Sequence, residues 1–100
     1  MFQQLNLTPQ QRHRIRQIRR QYQTEIFRLK EDLRVARQEL AQMMSGTDSA
    51  AVIRAKHTQI ERFRQKLGGL HFESMLATRE ILTPQQRQKF AEILETNQQN

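Results

Sequence analysis

Apolar side chains recur every three or four residues along most of the chain. From Ile15 the series runs through Ile18, Tyr22, Ile26, Leu29, Leu33, Ala36, Leu40 and Met43 or Met44. That period matches one face of an α-helix, which turns every 3.6 residues. No Pro or Gly interrupts it, so helix 1 is expected from about Pro9 to Met44. Ser45-Gly46-Thr47-Asp48-Ser49 then supplies a turn. Gly46 suits a left-handed helix end, and Asp48 or Ser49 suits the next N-cap. Ile53, Ile60, Phe63, Leu67, Leu70, Ala77 and Ile81 mark the inner stripe of helix 2, expected over about 49–81. Gly68-Gly69 falls inside it at about 1 kcal/mol per Gly relative to Ala, which points to a close backbone approach or a bend, with a break in the helix as the alternative. Helix 3, about Pro84 to Thr96, turns Phe90, Ile93 and Leu94 inward. Asn97-Gln98-Gln99-Asn100 is expected to fray, and Phe2, Leu5 and Leu7 to fold back onto the bundle. The pattern predicts one all-α domain, a long antiparallel helical hairpin with a short C-terminal helix.

Two of these helices open on the same words. Leu7-Thr8-Pro9-Gln10-Gln11-Arg12 returns as Leu82-Thr83-Pro84-Gln85-Gln86-Arg87. Thr8 and Thr83 are N-caps whose hydroxyls can accept a first-turn N–H. Pro9 and Pro84 sit at the first helical position, where a missing N–H costs nothing. Gln11 and Gln86, three residues past the cap, can reach back to its N–H as in a capping box. Leu7 and Leu82 are not hydrophobic staples, because the staple partners would be Arg12 and Arg87. They are expected to pack across the bundle and bring the two helix starts together.

This doubled Leu-Thr-x-x-Gln motif resembles the Spy/CpxP family of small periplasmic stress proteins, over about Leu5 to Glu95. The second copy, within Ile81 to Phe90, resembles it more fully. The resemblance implies a subunit that forms an intertwined or cradle-like homodimer in the periplasm. Its members include ATP-independent chaperones, inhibitors of envelope-stress sensor kinases and metal-responsive relatives.

Composition sharpens this picture. One hundred residues with 36% apolar content allow only a thin core in a single subunit, and dimerisation is the ordinary remedy. A net charge of +7 favours anionic partners. The absence of cysteine excludes disulfides, thiolate metal sites and Cys nucleophiles. No apolar run is long enough to span a membrane. Met1-Phe2-Gln3-Gln4 lacks the basic start and apolar stretch of a signal peptide. The protein is therefore either cytoplasmic or a mature chain with an added Met, and the resemblance favours the second.

The candidate site lies on helix 1. Arg16, Arg20, Gln23, Phe27, Lys30 and Arg34 align at spacings of three and four, about 150° from the core stripe. The acids of that helix, Glu25, Glu31, Asp32 and Glu39, project at other angles. An apolar Phe27 among cations could capture flexible polypeptide by charge and retain it by apolar contact. The plainer alternative is a solvated basic face with one subunit-contact Phe. Phe72, Leu76 and Met75 form a second off-stripe apolar set, suited to packing against helix 3 or a second subunit. His71 and Met75, four apart, could reach one metal, but two side chains do not make a site, and a packing pair is the simpler account. No nucleophile–base pair and no phosphate loop is present, so neither an enzyme nor a cofactor is expected.

The function expected is therefore an ATP-independent periplasmic chaperone or envelope-stress adaptor that binds unfolded or partner polypeptide. The alternative is a regulatory domain that inhibits a sensor kinase or senses metal. Non-specific nucleic-acid binding ranks below both. Helix 1 carries nine basic residues against four acidic ones, but no nucleic-acid module is recognisable.

Overall fold

A computed structural model describes the backbone of residues 2–99 and the side chains of residues 4–96. The fold is all-helical, and its two long helices pack against each other. A short 3-10 helix, Phe2–Leu5, precedes α1 at Pro9–Ser45, α2 at Ala50–Ile81 and α3 at Pro84–Gln99. The expected fraying of Asn97 to Asn100 falls largely outside the described side chains, although α3 itself continues to Gln99. The side chain of Phe2 also lies outside them. Among the described residues there is no strand, and no helix is long and apolar enough to cross a membrane.

The chain divides into two compact units. The first joins residues 1–21 to residues 73–100. Its core is Leu5, Ile15, Leu82 and Phe90, with Leu7, Ile81, Ile93 and Leu94 packed against it. Asn6, at φ 52°, carries the chain from the 3-10 helix toward α1 in a left-handed conformation that Asn tolerates better than most residues.

Both helix starts form full capping boxes. The Thr8 N–H donates to Gln11 Oε1 at 2.9 Å, and the Gln11 N–H donates to Thr8 Oγ1 at 3.1 Å. Thr83 and Gln86 repeat this at 2.9 and 3.3 Å. The two glutamines then pair with each other. Gln11 Nε2 donates to Gln86 Oε1 at 2.8 Å, and Gln86 Nε2 returns a bond to Gln11 Oε1 at 3.1 Å. Each amide spends its other N–H on backbone across the pair. Gln11 donates to the Ile81 carbonyl at 3.2 Å, and Gln86 to the Leu5 carbonyl at 3.0 Å. One clasp thereby ties the segment before α1, the first turn of α1, the end of α2 and the first turn of α3. Arg87 adds a bond from α3, its Nε donating to the Arg79 carbonyl at 3.2 Å near the end of α2, where the helix dipole favours a cation.

The second unit, residues 22–72, is the hairpin. Leu33, Ala36 and Ile60 are buried, and Leu40, Phe63 and Leu67 pack on them. Lys56 occupies the stripe position between Ile53 and Ile60. Its side chain is only 18% exposed, and its Nζ reaches Glu39 Oε2 at 2.6 Å across the hairpin. Ser49 is the N-cap of α2, accepting the Val52 N–H at 3.3 Å.

Two local expectations need correction. Gly46 has no positive φ; α1 ends instead on a tight turn in which the Gly46 N–H donates to the Met43 carbonyl at 3.3 Å. Gly68 and Gly69 mark no close approach within the chain, since a Cβ added to either would meet nothing within 4 Å, and α2 runs through them unbroken. Phe72, Met75 and Leu76 are exposed, Phe72 at 56%.

A capping box accepts Glu or Gln, but the clasp needs an amide that both donates and accepts. Gln11→Glu should keep the cap and lose the donors, costing roughly 1–3 kcal/mol at neutral pH. The introduced carboxylate faces carbonyl oxygens, so its folded-state pKa should be raised. The loss should then shrink as pH falls through that raised value and be smallest below the usual Glu value of about 4.3, because a protonated carboxyl can donate again. Urea unfolding of parent and variant at neutral and acidic pH checks this. Gln11→Ala and Gln86→Ala should together cost about 1 kcal/mol less than the sum of the two single changes, measured as a double-mutant cycle.

Candidate functional site

The six residues singled out from the sequence all lie on α1, divided between the two units. Arg16 and Arg20 lie on the part of α1 in the first unit, exposed and without an ion pair among the described residues. Gln23, Phe27, Lys30 and Arg34 lie on the part in the second unit, also exposed. Phe27 is 72% exposed, the most open large apolar side chain among the described residues. An aromatic ring left so far in water on a cation-rich helix contributes little to folding and is available to a partner.

The stripe is not free of acid contact. Arg34 grips Glu31, one turn back, in a bidentate pair: its Nε lies 3.1 and 3.2 Å from the two carboxylate oxygens, and Nη2 also donates to Oε1. Helical rotation separates the two residues by about 60°, and long side chains close that angle at an i, i+3 spacing. The Arg34 hydrogen bonds, opposed by desolvation and aided by the Arg34 charge, hold the Glu31 carboxyl below its ordinary range. The same bonds and charge raise Arg34. The freely available cations of the stripe are therefore Arg16, Arg20 and Lys30.

Tertiary structure adds residues the linear pattern did not join to the site. Within the second unit an open groove is lined by Lys30, Leu33, Arg34 and Arg37 from α1 and by Arg64, Leu67, Gly68 and His71 from α2. Cations rise from both helices, while buried Leu33 and half-buried Leu67 form an apolar floor. Arg64 is paired with Glu61 at 3.3 Å, whereas Lys30 and Arg37 make no ion pair among the described residues. Folding the two helices about the tight turn at Gly46 would have set Arg64 and Leu67 opposite Lys30 and Leu33. The single-helix stripe did not use that register.

The remaining candidates are placed as follows. Leu7, Thr8, Gln11, Leu82, Thr83 and Gln86 converge in the first unit, with Leu82 buried and Leu7 packed on the same core. His71 borders the groove, and Met75 is an exposed side chain farther along α2. Among the described residues, no group of three or more His, Asp or Glu side chains could hold a metal ion.

The two capped Leu-Thr-Pro-Gln-Gln copies thus meet through their glutamines within an all-helical fold. Residues 1–94 match the LTXXQ motif family, and the chain belongs to it. That family includes the Spy/CpxP-like periplasmic proteins. No curated protein and no solved structure matches the chain.

The Arg34–Glu31 pair gives a direct check on this surface. In Arg34→Gln the Glu31 carboxyl should return to the ordinary Glu range near pH 4.3. NMR titration of the Glu31 side chain measures this. An unchanged midpoint would mean that the pair does not persist in solution, as many exposed ion pairs do not.

Proposed function

We propose that this protein is an ATP-independent periplasmic chaperone or envelope-stress adaptor that acts by binding polypeptide and catalyses no reaction. Membership of the LTXXQ family favours a periplasmic stress role. The single observation that carries the binding role is Phe27, 72% exposed on the second unit's part of α1, which also bears Lys30 and Arg34. Cations attract an unfolded or acidic chain from a distance and raise its arrival rate. An apolar ring then lengthens its stay, because apolar contact acts on the off-rate. Flexible clients suit such a surface, since neither step demands one fixed geometry.

The same reading includes a homodimer. Each unit has a small core, and Phe72, Met75 and Leu76 are exposed along α2. A second subunit would bury such residues. Sedimentation should give a dimer at tens of micromolar, about the range where a modest interface assembles. A well-folded monomer there would remove this part of the proposal.

Aggregation of a chemically unfolded client, followed without ATP, tests the binding role. Arg16→Glu with Arg20→Glu should slow client capture several-fold at low salt and flatten its salt dependence, because steering is screened within about 10 Å at 0.1 M. Phe27→Ala should leave capture rates unchanged and shorten the lifetime of the complex. Both variants should keep the parent's helical circular dichroism, since these side chains lie in solvent. Protection equal to the parent's by both folded variants would move the working surface off α1. Dissociation of the dimer by Phe27→Ala would reassign that ring to the subunit contact.

A further inference from the structure

We infer that Gly68 keeps the α1–α2 groove of the second unit open for an acidic stretch of polypeptide bearing apolar side chains. This inference rests on the polypeptide-binding role proposed above and specifies what the groove selects. A glycine inside a helix lowers helix stability relative to almost any other residue, so its presence calls for a reason. The fold supplies none. Neither Gly68 nor Gly69 has positive φ, α2 continues through both, and a Cβ on either would meet open space. The two neighbours differ in one respect. Gly68 lines the groove, beside Leu67 and His71 and across from Lys30 and Leu33, whereas Gly69 does not. Nothing in the structure explains Gly69.

The lining specifies the occupant. Lys30, Arg34, Arg37 and Arg64 border the groove, and no carboxylate does. Glu31 and Glu61 pair with Arg34 and Arg64, but Lys30 and Arg37 have no ion partner among the described residues. Charge complementarity therefore calls for anions on the occupant. Leu33 and Leu67 on the floor call for apolar groups between those anions. A chain alternating acidic and apolar residues meets both demands. With no side chain at Gly68, its backbone can come close to α2. Any side chain placed there would stand in the space the occupant needs while leaving the protein core untouched.

The adjacent glycines provide a matched experiment. A dye-labelled decapeptide of alternating Glu and Leu is titrated with the parent protein, Gly68→Gln and Gly69→Gln, and binding is read by fluorescence anisotropy. Both substitutions should raise the melting temperature, because Gln is a far better helix former than Gly. Gly68→Gln should weaken peptide binding by about tenfold or more, while Gly69→Gln should stay near the parent value. A Lys-Leu peptide of the same length should not bind. Should Gly68→Gln fail to fold, Gly68→Ala with Gly69→Ala repeats the comparison with a smaller side chain. Equal effects at both positions, or none at either, would overturn the role of Gly68. A parent that suppresses client aggregation yet ignores the Glu-Leu peptide would overturn this inference and leave the proposed function standing. A parent that does neither would remove both. Preference for monomeric dodecyl phosphate over the peptide, with the same Gly68 dependence, would overturn the peptide as occupant.

Discussion

Gln11 and Gln86 exchange hydrogen bonds across a sequence separation of 75 residues, and the organisation of the first unit depends on that exchange. Four neutral hydrogen bonds in a half-buried setting are individually modest, at about 0.5–1.5 kcal/mol each. Their value lies in what they connect. Each amide oxygen serves its own cap and its partner's N–H, and each remaining N–H reaches backbone on the other side. Removing one glutamine therefore leaves a cap N–H, a carbonyl and the facing amide short of partners at once. The hydrophobic core beside them is small: Leu5, Ile15, Leu82 and Phe90 are its buried members. In so thin a core, polar groups that fix register carry more of the specificity than they would in a larger domain.

The hairpin unit solves a related problem by other means. Its stripe has a gap where an apolar residue would fall between Ile53 and Ile60, and Lys56 fills it by covering the core with its aliphatic stem while its ammonium pairs with Glu39. The exposed cost of the design is visible on the opposite faces. Phe27, Met44, Val52 and Phe72 are at least half exposed.

Charge on this protein is arranged rather than merely abundant. The bidentate grip of Arg34 on Glu31 and the Arg64–Glu61 pair tie down part of the basic excess. Lys30 and Arg37 retain theirs at the groove, and Arg16 and Arg20 retain theirs on α1. Long-range attraction responds to the total charge, but close recognition responds to the cations left unpaired beside an apolar floor. In the proposed reading, the exposed cations of α1 serve capture and the groove serves selection.

Helix number, the inner stripes and both capping boxes were legible in the sequence. They depend on local rules: a 3.6-residue period, the hydroxyl–N–H reach of Thr, and the fixed φ of Pro. Leu7, Leu82 and Phe90 could be assigned inward for the same reason. The exposure of Phe27 followed from its angle to the stripe. Other features required tertiary structure. Capping chemistry says that Gln11 and Gln86 face their own caps, but only packing brings those caps within hydrogen-bond distance of each other. Rotation about a helix axis placed Glu31 off the basic stripe, whereas side-chain length let it reach Arg34. Gly46 was expected to be left-handed, and it instead closes a tight turn onto the Met43 carbonyl. Gly68 looked like a packing residue because helix interiors seldom spend glycine elsewhere, yet the space above it is open. Sequence determined which faces each helix would present, because periodicity is local. Which faces meet, and which gap between them stays empty, was decided by the fold, because it depends on packing between side chains of different helices, which local periodicity does not describe.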